Sequence, residues 1–556
     1  MGNSKVRAAV FYHPEAYTTS GPRLMGRHSA GESFLRGWLL YGQTDEFWAQ
    51  VHDASHAQLF AAYVRKLGRS EPVKVVDRRS IGDLKQAGTL FFPSPTITDL
   101  AWQRSFYGDR AWSLCGITHT TASAAVMDTV ANFLVAPLQP WDAIICTSHA
   151  VRDNLLKILQ AQADYLSRRL GIRRLVLPQL PVIPLGVHMG DFQFSPQQRK
   201  KARDHIKADD KTHVVLFMGR LSFHAKAHPL AMYQALEQAS RKLPRDEEVL
   251  LVECGWFANE GIERSFHEAA AVAAPSIKIV RLDGRHAEQR EIAWASADIF
   301  CSLSDNIQET FGLTPVEAMA AGLPSVVSDW DGYKESVRDG IDGFRIPTLM
   351  PGGGLGGDLA MRHALEIDSY DMYCGYTSSM VAVDIDKAAE AFSRLFGSAE
   401  LRKRMGQAAK ERVKEVFDWS VIIPRYETLW EELGRMRQER SAESTGAAQP
   451  WPARLDPFFA FSGYPSITLQ MQTQVGLREA NVQVAREKLE TYLNLGMVNY
   501  LLAILPSKSE LERMLEIAAS GPVPAIHLVA WAEESRRGYL FRMIAWLCKL
   551  GILKTF

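Results

Sequence analysis

Two glutamates with a tight turn between them are the first residues in this chain whose spacing suggests chemistry. Glu309 and Glu317 are separated by seven residues, within CSLSDNIQETFGLTPVEAMAAGLPSVVSDWDGYKESVRDGIDGF (301–344). The intervening TFGLT predicts a turn, and TPVEAMAAG opens a helix. The start of a helix carries about half a positive charge and free N–H donors, so it can bind a phosphate. We expect the following backbone amides to point out of this helix start: Phe311, Gly312, Leu313 and Thr314.

The two carboxylates are placed to contact different parts of a ligand. Glu317, one turn into the helix, can accept hydrogen bonds from two vicinal hydroxyls, such as those of a ribose. Glu309 precedes the turn and could hold the hydroxyls of a sugar. Taken alone, two such glutamates are more often solvated charges near a helix end. The interpretation therefore depends on the residues around them.

An arginine and a lysine follow a predicted strand at a spacing that suits a phosphate clamp. In FMGRLSFHAKAHP (217–229), Gly219 ends the strand, and Arg220 and Lys226 come after it. A nucleoside diphosphate that leaves a sugar gains negative charge, and two fixed cations stabilise that charge. The same spacing alone is usually a coincidence of surface charges. A strand end before it and the two glutamates downstream favour a diphosphate site.

These motifs resemble glycosyltransferase family 4. The family carries the pattern E-x-F-G-L-x-x-x-E-A-M-A-x-G-x-P, and every position matches from Glu309 to Pro324. The later Glu335, Gly340 and Gly343 also fit the family. The resemblance covers about residues 5–436.

The resemblance implies a diphosphate clamp of the form G-R-x(5)-K. Gly219, Arg220 and Lys226 match it, whereas Ala227 stands where the family usually has glycine. Donor binding is therefore expected at this clamp and at the turn between the two glutamates.

The resemblance also implies two site residues in the first part of the chain. The family has a glycine-rich loop after its first strand, close to the donor phosphates, and HSAGES with Gly31 is the best match. An ordinary strand-to-helix turn is the alternative, and Arg27 and His28 would be additional donors.

His119, in THTT after a strand, matches the family's histidine that faces the transferred sugar, although a lone histidine is more often structural. His149 is better explained as part of a helix start at Ser148.

The activity implied by the resemblance is that of a retaining hexosyltransferase with a nucleotide-diphosphate sugar as donor, UDP-linked first and GDP-linked second. The acceptor would be a hydroxyl, with a glycan or lipid-linked glycan as the usual choice. The leaving phosphate would itself take the acceptor's proton on the same face, and the protein would supply position and charge. The catalytic set is His119, Glu309, Arg220 and Lys226. No cofactor and no metal are expected beyond the nucleotide sugar as co-substrate.

Two Asp-x-Asp triplets need an explanation, because metal-dependent GT-A transferases use such carboxylates. Asp329-Trp330-Asp331 lies in a loop after a predicted strand. Asp384-Ile385-Asp386 precedes the helix KAAEAFSRLF, where aspartate is a natural N-cap. Neither triplet is assigned to a metal.

Short apolar segments alternate with helical patterns along most of the chain, which indicates parallel sheets covered by helices on both faces. We predict an α/β protein with two Rossmann-like doubly wound domains, the GT-B arrangement, and a mostly helical C-terminal extension. The predicted strands are 5–12, 73–76, 89–92, 113–117 and 143–146, then 214–218, 249–253, 277–282, 299–303 and 325–328.

The predicted boundaries follow from these segments and from composition. The first predicted domain is an acceptor-side domain at 1–187, completed by a crossing helix at about 419–436. The second is a nucleotide-sugar domain at 188–418 with an insertion at 349–379. A linker at 437–452 and a helical accessory domain at 453–556 follow. The insertion either shapes the acceptor site or is an inert loop. The accessory domain matches nothing in the family.

Composition limits the classes of protein to which the chain can belong. The 556 residues suffice for two or three domains, and 63 Lys+Arg balance 63 Asp+Glu, which argues against a general nucleic-acid binder. The six cysteines form no C-x-x-C pair, which suits reduced thiols in a cytoplasmic protein. No signal-peptide pattern and no apolar run of about 18 residues is present in the sequence. Peripheral contact with the inner membrane face and oligomerisation through 453–556 stay open.

Two alternatives to a transferase are also open. One is an epimerase or phosphorylase of the GT-B fold, although neither the acid/base carboxylates of the first nor the pyridoxal-phosphate lysine of the second can be placed in this sequence. The other is a scaffold or binding protein that acts through its C-terminal helical domain.

Overall fold

The computed structural model describes residues 8–17, 26–439 and 451–556. These residues form two compact units, one that ends at Pro452 and one that spans Ala453–Phe556. Most of the predicted linker, 437–452, lies outside the described residues, as does the beginning of the first predicted strand.

The first sheet of the larger unit has six parallel strands in the order β3-β2-β1-β4-β5-β6. Its predicted strands are confirmed, and β2 adds a short buried strand, FWAQ, that the sequence pattern did not single out. The strands are β1 Ala9–Phe11, β2 Phe47–Gln50, β3 Val73–Val76, β4 Thr89–Phe92, β5 Ser113–Ile117 and β6 Ala143–Ile145.

The second sheet repeats the same topology, in the order β12-β11-β10-β7-β8-β9. All seven residues of its central β7 are buried, which explains why the strand is continuously apolar from Val214 to Met218 rather than alternating. Its strands are β7 Thr212–Met218, β8 Glu248–Gly255, β9 Lys278–Asp283, β10 Ile299–Ser302, β11 Ser325–Ser328 and β12 Gly343–Ile346. Both sheets have the doubly wound order, so the predicted pair of Rossmann-like domains is confirmed.

Helices cover the two sheets of this unit. They are α1 Gly26–Tyr41, α2 Ala54–Lys66, α3 Leu84–Ala87, α4 Thr98–Ser105, α5 Ala124–Asn132, α6 His149–Leu170, α7 Pro196–His205, α8 Leu230–Ser240, α9 Glu260–Ala273, α10 Ala287–Ser296, α11 Leu313–Ala321, α12 Tyr333–Ser336, α13 Gly357–Ala364, α14 Tyr370–Ser378, α15 Ile385–Phe396, α16 Ala399–Arg412 and α17 Trp419–Glu439. None of the helices in the described ranges is long and apolar enough to cross a membrane.

The chain passes between the two Rossmann-like domains twice, and the two passages are hydrogen-bonded to each other. The amide of Val187 donates to the carbonyl of Phe417 (2.8 Å), and the amide of Trp419 donates to the carbonyl of Val187 (3.2 Å). A π-helical turn, Val413–Phe417, comes just before the second passage. The Trp419 side chain is fully buried, and its Nε1 donates to Ser33 Oγ (2.7 Å). One apolar core runs through both domains and α17, which ties them into one unit.

The segment predicted as an insertion forms a helical hairpin on a two-stranded base. Strands β13 (Thr348–Leu349) and β14 (Ala382–Val383) pair in antiparallel fashion, and α13 and α14 lie between them. The insertion is therefore an ordered element with its own secondary structure.

The smaller unit combines helices with a three-stranded antiparallel sheet in the order β16-β15-β17. Leu540, Ile544 and Leu547, which recur at helical spacing in α22 (Glu534–Lys549), are all fully buried in its core. Its elements are α18 Pro457–Ala460, β15 Gln474–Leu477, α19 Val482–Leu493, α20 Gly496–Asn499, α21 Lys508–Ala518, β16 Val523–Pro524, α22 Glu534–Lys549 and β17 Leu553–Thr555.

Candidate active site

The carboxyl ends of β7 and β10 bring the predicted clamp and the first predicted glutamate together. These strands are neighbours in the second sheet, so the loops that follow them lie side by side. Lys226, in the loop after β7, forms an ion pair with Glu309, in the loop after β10. Their side chains keep 21% and 12% of their surface exposed, so a ligand can reach the pair.

Arg220 stabilises the loop that carries Lys226. Its Nη2 donates to the carbonyl of Ala225 (2.7 Å), which closes the loop. Within the loop, the Ser222 carbonyl accepts hydrogen bonds from the amides of Lys226 (3.0 Å) and Ala227 (3.3 Å). The loop is therefore a compact turn that begins directly after Gly219 and presents two cations at the end of β7.

Glu309 is held as a carboxylate by its neighbours. Burial raises the pKa of Glu309, but the Lys226 ammonium and the backbone amides of Thr310 and Gly312 outweigh it and leave the pKa below its usual value. Tyr333 also faces this carboxylate, with its hydroxyl 3.5 Å from Glu309 Oε2 and 2.9 Å from Ser302 Oγ. Tyr333 was not predicted as a site residue, although it lies inside the segment 301–344 that contains both glutamates.

The turn between the two glutamates places Gly312 in the left-handed backbone region directly before α11 begins. Gly312 has φ of +82°, and a Cβ on it would lie 1.9 Å from Tyr333 Cε1. Only glycine fits that position, because side-chain-bearing residues meet both strain and a clash there. Helix α11 then begins at Leu313, followed by Thr314, while Phe311 is buried behind the turn against Phe417 (ring centroids 6.0 Å apart).

Glu317 lies one turn into α11 and takes no part in the ion pair between Lys226 and Glu309. Burial raises the pKa of its carboxyl to about 7, against the lowering effect of the Arg290 and Lys226 charges. Its carboxylate makes no hydrogen bond to any residue in the described part of the chain. A carboxylate that is partly removed from water and lacks such bonds can gain from the hydroxyls of a ligand.

His119 lies two residues past the end of β5, in the first Rossmann-like domain. Its Nε2 donates to the carbonyl of Pro93 (3.1 Å), so this nitrogen carries a hydrogen. The next residue, Thr120, has its Oγ1 3.0 Å from the hydroxyl of Tyr370, the first residue of α14. Residues from both domains and from the inserted hairpin therefore meet beside His119.

Three further hydrogen bonds connect the two Rossmann-like domains. Thr147 Oγ1 donates to the Thr310 carbonyl (3.5 Å), and Ser148 Oγ donates to Asp331 Oδ1 (3.1 Å). The amide of His149 donates to Glu335 Oε1 (2.6 Å). These contacts lie beyond the carboxyl ends of β6, β10 and β11, so the cleft is closed on this side.

The structural interpretations of Ser148 and Asp384 are confirmed. Ser148 is the N-cap of α6 and accepts from Val151 N (3.1 Å), with His149 as the first helical residue. Asp384 caps α15 by accepting from Lys387 N (2.9 Å). In the parts of the chain with described coordinates, no group of three or more His, Cys, Asp or Glu side chains is arranged to hold a metal ion.

The prediction of a loop at Gly31 is wrong. Gly31 lies inside α1, and a Cβ on it would come within 2.1 Å of the Ala16 carbonyl oxygen. Glycine is therefore needed for close packing of the helix on the 3₁₀ turn Pro14–Tyr17. The side chains of Arg27 and His28 lie outside the described part of the structure.

Comparison with known proteins identifies the class to which this site belongs. Residues 198–349 match the family model of glycosyl transferases group 1. The matched range contains Arg220, Lys226, Glu309 and Glu317. This segment of the chain is thus similar to the group 1 glycosyltransferases, and the resemblance drawn from the sequence is confirmed.

Two curated relatives are similar to part of this chain. The D-inositol 3-phosphate glycosyltransferase of Geodermatophilus obscurus is 29% identical over 177 residues, which are 31% of this chain and 37% of the relative. The phosphatidyl-myo-inositol mannosyltransferase of Mycobacterium leprae is 31% identical over 142 residues, 25% of this chain and 28% of the relative. The chain thus spans about a third of the length of the curated relatives it matches.

The crystal structure of a glycosyltransferase from Rickettsia africae has a TM-score of 0.51 at 13% identity. The similarity covers 79% of this chain and all of that chain. It supports the same fold, the GT-B arrangement of two Rossmann-like domains.

Proposed function

We propose that the protein is a retaining glycosyltransferase that moves a sugar from a nucleotide-diphosphate donor to an acceptor hydroxyl. The observation that carries the proposal is the pairing of Lys226 with Glu309 beside the start of α11, with Arg220 on the same loop. Cations, helix amides and a carboxylate within one cleft suit a ligand that is both a phosphate ester and a sugar.

The donor would bind with its diphosphate near Arg220, Lys226 and the amides of Leu313 and Thr314. Anionic oxygens would compete with Glu309 for Lys226 and release the Glu309 carboxylate toward the sugar hydroxyls. Glu317 would accept the hydroxyls of the ribose. A UDP-sugar is the first choice and a GDP-sugar the second.

Transfer with retention needs no protein nucleophile in this scheme. The bond from the anomeric carbon to the diphosphate oxygen breaks, and the acceptor oxygen bonds to that carbon on the same face. The acceptor's proton passes to the departing phosphate oxygen, and Arg220 and Lys226 stabilise the charge that develops there. His119 and Glu309 would position the sugar, and no metal or other cofactor takes part.

The acceptor is proposed to be a glycan or a lipid-linked glycan. The names of the two relatives add inositol phosphate and phosphatidylinositol as acceptors to test. All of these offer hydroxyls on a ring, which fits a cleft lined by polar side chains of both domains.

Thermal shift and turnover with UDP-, GDP- and ADP-sugars test the proposal together. A donor that binds the native state raises the melting temperature. Release of the nucleoside diphosphate, and the anomeric configuration of the product by NMR, then report on transfer and retention. Matched measurements on Lys226→Ala show whether any release comes from this site. Absence of both binding and release for every sugar nucleotide would favour a scaffold that acts through 453–556.

A further inference from the structure

The inserted hairpin is firmly built and attached to the second Rossmann-like domain. Arg362 donates to both carboxylate oxygens of Asp368 (2.8 and 2.7 Å), which closes the turn between α13 and α14. The rings of His363 and Tyr373 stack with centroids 4.3 Å apart, which fixes the two helices against each other. At its base, Thr348 Oγ1 donates to the Asp329 carbonyl (3.1 Å).

One face of α14 lies on the loop that carries the phosphate clamp. Cys374 and Gly375 on this face are buried. A Cβ on Gly375 would lie 2.9 Å from His224 Cβ, in the loop between Arg220 and Lys226. The hairpin therefore contacts the donor side of the site directly.

Tyr370, at the start of α14, contacts the other two loops of the site. Its hydroxyl lies 3.0 Å from Oγ1 of Thr120, which follows His119. It also donates to Oε1 of Gln308 (3.4 Å), which precedes Glu309. The Tyr370 hydroxyl thus accepts a hydrogen bond from Thr120 in the first Rossmann-like domain and donates one to Gln308 in the second. A hydroxyl can do both at once.

We propose that Tyr370 is a positioning residue that sets the separation between His119 and Glu309 when the cleft closes over the sugar. Its hydroxyl joins the neighbours of both residues, so the sugar is held between two loops of fixed spacing. The hydrogen bond between Tyr370 and Thr120 also closes the cleft beside the sugar, so that water is excluded and the acceptor is retained. This role rests on the proposed function, because it assumes that His119 and Glu309 flank a transferred sugar.

The matched pair of variants is Tyr370→Phe and Tyr376→Phe. Both remove one phenol hydroxyl from α14, but Tyr376 is exposed on the outer side of the helix. We expect Tyr370→Phe to lower kcat/KM for transfer about 3- to 10-fold, the scale of one neutral hydrogen bond, and to raise donor hydrolysis relative to transfer. Affinity for the nucleoside diphosphate should not change. Tyr376→Phe should behave as wild type.

A double-mutant cycle with Thr120→Val separates positioning from a general loss of packing. Because both substitutions break the hydrogen bond between Thr120 and Tyr370, the losses of the two single variants should be less than additive in the double variant. Additive losses would show that the two hydroxyls act independently and would overturn the proposal.

A distance measurement keeps the test independent of activity. Spin labels on Gln58→Cys in α2 and Glu268→Cys in α9, both exposed, report the spacing of the two Rossmann-like domains. With UDP bound, we expect one narrow distance distribution in the otherwise wild-type protein and a broader or longer one in Tyr370→Phe. Identical distributions and identical hydrolysis-to-transfer ratios would refute the role of Tyr370. A shift in distance without turnover of any sugar nucleotide would refute the proposed function and leave Tyr370 as a residue that holds the cleft closed.

Discussion

Lys226 and Glu309 form an ion pair although they lie 83 positions apart in the chain. The sequence suggested a phosphate clamp for one and a sugar contact for the other. In the proposed function, the two subsites share a boundary at this contact, so a diphosphate that binds Lys226 would free Glu309 for the sugar.

We expect Lys226→Ala to lower the transfer rate by about 10²–10³, the scale of one preorganised charge at a transition state. Steady-state kinetics with saturating donor measure it. Lys242→Ala removes a lysine that is exposed past the end of α8 and should leave the rate unchanged. A loss of less than about threefold in Lys226→Ala would contradict the clamp assignment.

Glu317→Ala should weaken binding of the nucleoside diphosphate by about 1.5–3 kcal/mol, because the ribose loses a charged acceptor. Calorimetric titration of the folded variant checks this. Glu288→Ala, an exposed glutamate on the neighbouring α10, is the matched control. Unchanged affinity in Glu317→Ala would remove this residue from the donor site.

Nucleotide affinity should rise with pH between about 6 and 8. In the ligand-free protein the pKa of Glu317 is raised to about 7, so the carboxyl is mostly protonated at pH 6 and ionised at pH 8. Only the ionised form accepts from both ribose hydroxyls, and binding should therefore release a proton. Asp305 and Asp331 also have pKa values raised to about 7 by burial.

The control for this pH dependence is Glu317→Gln, which keeps the titration of the ligand and of the two aspartates. Its affinity should vary less with pH than that of the wild type. Titrations in buffers of different ionisation enthalpy count the protons released. Equal proton release in both proteins would assign the pH dependence to other groups.

We expect full turnover in excess EDTA. Arg220, Lys226 and the amides at the start of α11 supply about two charges and a half-charge dipole, which is the role of a divalent cation in metal-dependent transferases. Initial rates with EDTA, and after addition of Mg²⁺ or Mn²⁺, decide the point. Activity that is lost with EDTA and restored by either ion would overturn this mechanism.

Removal of the smaller unit should leave donor binding intact and should affect acceptor use or assembly. A chain that ends at Pro452 keeps α17, whose last carbonyls at Arg437 and Gln438 accept from Arg110 (both 2.9 Å). It also keeps the stacking of Trp451 on Trp102, with centroids 6.0 Å apart. Calorimetry should give a nucleotide affinity within about twofold of the full chain. Loss of binding in a folded, truncated protein would show that 453–556 contributes to the donor site.

Local patterns predicted the parts of the fold that depend on neighbours in the sequence. Continuous apolar segments gave most strands, because a strand of a parallel sheet is buried on both faces. β2 was missed because FWAQ ends in a glutamine, although Gln50 is buried. Gly31 was misplaced because a glycine that permits close helix packing and a glycine in a phosphate loop look alike in a sequence.

The long-range part of the site could not be predicted from spacing. Tyr370 belongs to an insertion without a family pattern, and its contacts with Thr120 and Gln308 span 250 and 62 positions of the chain. Asp331 and Glu335 were noticed, but their bonds to Ser148 and His149 depend on how the two domains meet. Such contacts depend on the tertiary arrangement, so the local periodicity of the sequence does not predict them.

The paired passages at Val187 and Phe417–Trp419 determine how the two Rossmann-like domains can move. A single covalent tether would allow one domain to swivel, slide or twist against the other. Two tethers that are hydrogen-bonded side by side, with Trp419 buried at their junction, resist sliding and twisting. We expect rotation about an axis through Val187 to be the one relative motion that they leave free. An opening about that axis would bring Ser148 back to Asp331, and Thr120 back to Tyr370, because a single axis allows only one path back.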